Sequence, residues 1–148
     1  MNYLKLISIT FCILFLFISK PFSLENKILF KVNNDIITSI DIEEEYRYLI
    51  ALNDNLKTLS QNEIIEIAKK SLIKEKIKII EINKNFKNPK IPDEILETIL
   101  KNFYRRLNID NLDDFKKYLI SKNVKYQDIR NKIEIESLWN ELIIAKFS

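Results

Sequence analysis

The chain of 148 residues contains no glycine. Glycine visits left-handed backbone without steric cost, so every tight turn here falls to another residue, and asparagine and aspartate are the next best tolerated. Chemistry is lost as well. Phosphate-cradling loops of the P-loop and dinucleotide-binding kinds need backbone amides to approach phosphate with no Cβ in the way. Histidine is also absent, which excludes Ser-His-Asp and Cys-His catalysis, imidazole metal ligands and a histidine pH switch. Ile, Lys and Asn together fill 64 positions, the bias of an AT-rich genome, but the chemical consequence of the missing residues does not depend on its cause.

Residues 1–23 read as a secretory signal peptide: a short start carrying Lys5, an apolar run from Leu6 to Ile18, then the polar break Ser19-Lys20-Pro21. Thirteen helical residues reach only ~20 Å, short of the ~30 Å hydrocarbon core. Cleavage near Ser23 and a periplasmic location are therefore expected, with an uncleaved inner-membrane anchor as the alternative. Removal of Lys5 and Lys20 leaves 22 basic against 21 acidic residues. That near-balance argues against a nucleic-acid partner, which needs a basic face. Cys12 leaves with the leader, so residues 24–148 hold no thiol, and neither a metal nor another cofactor is expected. Such a domain must be held by its apolar core.

Residues 24–148 predict a mainly α domain, with an N-terminal β-hairpin followed by about five helices. Lys27 to Val32 alternates with period two, and Ile36-Ile37-Thr38 resumes β-branched character after Asn33-Asn34-Asp35, with Asp35 in a turn position where glycine would serve best. Thr38 and Asp41 form a capping arrangement for a first helix over about 39–53, with Ile42, Tyr46, Leu49 and Ile50 on one face. Ser60 and Glu63 are a capping box for a long helix reaching about Asn83. Its wide apolar arc predicts a central position. Pro92 fits a first helical position, and Leu96, Ile99, Phe103 and Leu107 form the expected buried stripe of a third helix, closed by Asn108 in the role glycine usually takes. A short fourth helix opens at Asn111 and closes near Asn123. The last runs over about 126–147 with an apolar stripe that shifts sides, predicting two different neighbours.

The segment from Ile28 to Ile42 resembles the opening of mature SurA-type periplasmic chaperones, in which a "VNxxxIT" hairpin leads into a helix with an acidic first turn. Leu72 to Ile77 is similar to that family's "LIxExL" helix. The Ile91-Pro92-Asp93-Glu94 start, the Asn108 to Phe115 junction and the Tyr126 to Ile133 segment follow in the family's order. The resemblance covers nearly all of residues 24–148. It implies the N-terminal chaperone module of that family and an ATP-independent holdase for unfolded or nascent envelope polypeptides such as outer-membrane proteins. Relatives usually carry parvulin-type prolyl isomerase domains, whose sites use His and Cys or acidic residues in a Gly-containing fold. The expectation here is a non-enzyme. The alternative is an adaptor, or the N-terminal half of a split isomerase whose parvulin domain lies on a partner chain. The family also returns a C-terminal segment to complete this module. Without one, the hairpin edge invites a homodimer or another polypeptide.

Candidate peptide-binding residues are Tyr104 and Trp139, then Tyr118 and Phe103, as aromatic side chains able to line a cleft. At helical spacing most aromatics are simply core, and Phe103 sits on the expected buried stripe of the third helix. Glu43-Glu44-Glu45 points in successive directions around its helix and reads as a solvated face rather than a Ca²⁺ or acid/base cluster. Arg105-Arg106 and Lys116-Lys117, with acidic neighbours, read as solvated too.

Overall fold

The computed structural model describes residues 26–147. The expected leader and its cleavage junction lie outside the described residues. Within them the architecture is mainly α: a two-stranded antiparallel hairpin precedes five helices.

Strand β1 (Ile28–Val32) pairs with β2 (Asp35–Thr38) in the register Phe30↔Ile37, Lys31↔Ile36 and Val32↔Asp35, with a bulge between Ile28 and Phe30. The turn is shorter than the sequence suggested. Asn33 takes the left-handed backbone (φ 54°), so two residues suffice and Asp35 is already the first residue of β2. Thr38 ends the strand and caps helix α1 (Ser39–Leu52). Its amide donates to Asp41 Oδ2 (2.7 Å), and its hydroxyl accepts from the Asp41 amide (3.3 Å). The reciprocal capping satisfies amides that a helix start leaves without partners, which lets strand pass into helix with no linker.

After α1 comes a 3-10 turn (Asp54–Thr58), which the sequence did not signal; the Asn53 side chain accepts from the Asn55 amide and starts it. Ser60 and Glu63 then form the expected box at the head of α2 (Gln61–Asn85). Helix α3 (Asp93–Arg105) begins one residue later than expected, since Pro92 is its cap rather than its first residue. Helices α4 (Leu112–Ser121) and α5 (Tyr126–Phe147) follow. The exits from α3 and α4 are built alike. Asn108 (φ 58°) and Asn123 (φ 54°) turn left-handed, and the next residue's amide reaches back five positions, Ile109 to Tyr104 O (3.2 Å) and Val124 to Leu119 O (2.9 Å). The four described residues with left-handed backbone, Asn33, Asn88, Asn108 and Asn123, are all asparagines.

The helices enclose two apolar clusters. The larger joins Leu96 and Leu100 of α3, Phe115 and Leu119 of α4, and Ile129 of α5, all fully buried. The smaller joins Ile37 of β2, Ile42 of α1, and Ala68 and Leu72 of α2. Helix α2 contributes to both through Leu72 and Ile82, and packs on the hairpin, α1 and α5; it is central, as its apolar arc implied. Helix α5 packs on α2 and α3, the two neighbours its shifting stripe required. One face needs correction. The buried line of α3 is Leu96, Leu100 and Tyr104, while Ile99, Phe103 and Leu107 flank it half-buried. The apolar arc of α3 is wide enough to hold either line, and the position of α4 selects the one facing Phe115.

Candidate functional site

The aromatic candidates do not converge on one cleft. Tyr104 is 7% exposed and packs its ring on Phe115 (centroids 5.5 Å apart). It is a core side chain, which reverses the expected order, with Tyr104 on the buried line and Phe103 the half-buried one, edge-on to the same Phe115 ring at 6.1 Å. Tyr118 is half-buried on α4, where its hydroxyl donates to the Ala51 carbonyl at the end of α1. That bond satisfies a phenol and a helix-end carbonyl together. Trp139 lies half-buried on α5 with the Lys78 ammonium 5.9 Å from its ring, and the same Lys78 pairs with Glu136 one turn before Trp139.

What the sequence missed is an ionic cluster between three helices. Glu45 of α1 is 2% exposed, in contrast to the solvated face expected of Glu43-Glu44-Glu45. Its Oε2 pairs with Lys132 Nζ of α5 (2.7 Å), and Lys132 also binds Glu75 of α2. The Lys132 ammonium stands 4.9 Å from the Tyr48 ring centroid, adding a cation–π contact. A signal for this cluster was present. Each member follows a buried aliphatic residue by three positions: Ile42 and Glu45, Leu72 and Glu75, Ile129 and Lys132. That spacing keeps a charged residue on the inward face of its helix, where only a partner of opposite sign makes burial tolerable.

The electrostatics define what the cluster can do. Burial alone would lower the Lys132 ammonium, but the charges of Glu45 and Glu75 and their hydrogen bonds outweigh it and hold its pKa above the ordinary lysine value. Burial pushes the Tyr48 phenol up to about 12, opposed by Lys132 and reinforced by the nearby carboxylates. Neither side chain is poised as a base near neutral pH. The arrangement is a clasp that ties α1, α2 and α5 together. It borders a cavity of about 230 Å³ between these helices and the residue 123–125 loop. Among the described residues, no group of three or more His, Cys, Asp or Glu is placed to share a metal ion.

The second feature is exposed apolar surface. On the hairpin Ile28 is 65% and Ile36 47% exposed, with Leu29 and Phe30 also exposed, and with only two strands each strand keeps one edge unpaired among the described residues. Ile144 and Phe147 project from the end of α5. No described helix is long and apolar enough to cross a membrane. No family model, curated protein or solved structure matches the chain.

Proposed function

We propose that the chain is an exported, ATP-independent chaperone-like module that shelters unfolded envelope polypeptides, outer-membrane proteins in transit among them. The observation that carries this reading is the hairpin: Ile28, Leu29, Phe30 and Ile36 are exposed on it, and among the described residues each strand keeps one edge unpaired. Such a surface suits an extended, apolar segment that has not yet folded, through contact area and backbone pairing without a defined sequence. The bulge between Ile28 and Phe30 and the charge of Lys31 are features that restrain indiscriminate edge-to-edge pairing between copies. They favour a loose, reversible grip on clients. The leader-like residues 1–23 and the resemblance to SurA-type modules support export to the periplasm.

The same reading assigns no enzymatic activity. Lys132 held as an ammonium and Tyr48 held as a phenol form a matched structural cluster, and the sequence has no histidine for a parvulin-type site. A second reading, an adaptor or the N-terminal part of a split isomerase, takes its support from the strand edges left unpaired among the described residues, which suit one added strand of a partner chain. Light scattering by a urea-unfolded outer-membrane protein diluted into buffer separates the two. The holdase reading predicts suppressed aggregation at a few-fold molar excess of this protein with several unrelated clients. Failure with every client, at any excess, would refute it in favour of a single dedicated partner.

A further inference from the structure

The cavity beside the ionic clasp is a seam that packing leaves open. Helix α1 packs on α2 and the hairpin, and it reaches α5 and the loop before it mainly through ion pairs, Glu45 with Lys132 and Glu44 with Lys125. Two atoms on the α1 side of the seam, Glu45 Oε1 and Arg47 Nε, are buried with no hydrogen-bond partner, although Glu45 Oε2 holds Lys132 and Arg47 Nη1 holds Glu43. They are opposite in kind, one an acceptor and the other a donor. Both are sealed from solvent, so neither water nor a ligand entering the cavity reaches them. Each stranded group costs desolvation energy that only a movement of the protein itself can recover.

The opposite wall holds their complements. Asp128, on the first turn of α5, lines the cavity and makes no ion pair among the described residues. Asn131 lines it too, accepting from Gln127 Nε2 (2.8 Å) through Oδ1 while its Nδ2 donates to no described residue. An acceptor and a donor therefore stand across about 230 Å³ of space from a stranded donor and a stranded acceptor.

We propose that α1 has a second seating, closer to the start of α5, in which Arg47 Nε donates to Asp128 and Asn131 Nδ2 donates to Glu45 Oε1. Lys132 is the pivot, because its ammonium holds both Glu45 and Glu75. Thr38 joins β2 to α1 with no linker, so the hairpin travels with the helix. The two seatings present the hairpin at two angles to the larger cluster, a switch that stands whether or not the hairpin shelters clients.

Relaxation-dispersion NMR of the full-length protein is the test, read at the Leu72 and Val124 methyls, the Tyr48 ring and the Ile37 methyls. Exchange on the microsecond-to-millisecond scale of collective motions is expected, with one rate shared by all four residues. Asp128→Asn replaces a charged acceptor by a neutral one and should lower the population of the second seating about tenfold. Arg47→Lys keeps the charge but has no Nε, and should do the same. Should Arg47→Lys fail to fold, Asp128→Asn decides alone. Flat profiles in the wild type, exchange around the cavity with none at Ile37, or exchange unchanged in Asp128→Asn would overturn the proposal.

Discussion

The half built from α3, α4 and α5 and the half built from the hairpin, α1 and the start of α2 are stabilised by different means. The first is centred on an apolar cluster of thirteen buried residues, to which Ala51 of α1 and Ile82 of α2 also belong, whereas the second has a cluster of only four and draws less on burial. Its supplement is the Glu45–Lys132–Glu75 clasp, in which α5 reaches back to α1 and α2. Apolar burial scales with area and tolerates small shifts, whereas a buried ion pair depends on geometry and on every partner being present. One half is thus a scaffold. The other is a thinner layer, joined by charge, and it carries the exposed hairpin. Functional surfaces are commonly drawn from the less stable parts of a fold, because surface kept open for a partner is surface withheld from the core.

The largest expected effect lies in the scaffold. Phe115→Ala empties the centre of the large cluster, where Tyr104, Phe103 and Tyr126 meet its ring, and should cost about 3 to 5 kcal/mol by urea unfolding. A loss below about 1 kcal/mol would show that the two halves do not differ as described.

Breaking the clasp comes next. Lys132→Met leaves Glu45 buried without its cation and should cost about 3 kcal/mol, whereas the same change made together with Glu45→Gln and Glu75→Gln should recover most of that loss. Amide hydrogen exchange should place the loss in the hairpin and α1, with protection in α4 little changed. Uniform loss of protection would mean that the halves unfold as one unit.

The smallest effect is alkaline. Tyr48 has its pKa raised on folding from 10 to about 12, chiefly by burial, so its contribution is complete below pH 10 and is lost as the pH climbs through 12. The Lys132 ammonium is shifted in the same direction and its contribution likewise fades only at alkaline pH. Wild type should lose about 2 kcal/mol more than Tyr48→Phe between pH 10 and 12. Matching pH profiles for the two proteins would show that Tyr48 is not buried beside the clasp.

The helices were legible because their ends are written locally. Thr38 with Asp41 and Ser60 with Glu63 are capping pairs that need only residues three apart, and both form as read. Asn108 and Asn123 likewise mark helix exits, since a chain without glycine leaves asparagine as the residue that best tolerates φ near 55°. Which of two neighbouring residues faces inward was not legible in α3, because Phe103 and Tyr104 are both apolar enough to bury and only the position of Phe115 decides between them. The clasp escaped for a related reason. Glu45 sits in a run of three glutamates that looks solvated, and its partner lies 87 positions away on α5. Pairing over that separation is a property of the tertiary fold, although the spacing from Ile42 marked the face on which Glu45 lies.

We propose that the hairpin, and not the scaffold, is the working surface. The direct measurement is aggregation suppression by two matched variants, Ile36→Asp on β2 and Ile120→Asp on α4, both replacing apolar side chains exposed by 47% and 72%. Both should leave unfolding free energy within about 0.5 kcal/mol of wild type, as exposed positions do. Ile36→Asp should lose most of its ability to keep an unfolded outer-membrane protein in solution, while Ile120→Asp should keep it. Full activity in Ile36→Asp together with loss in Ile120→Asp would contradict it.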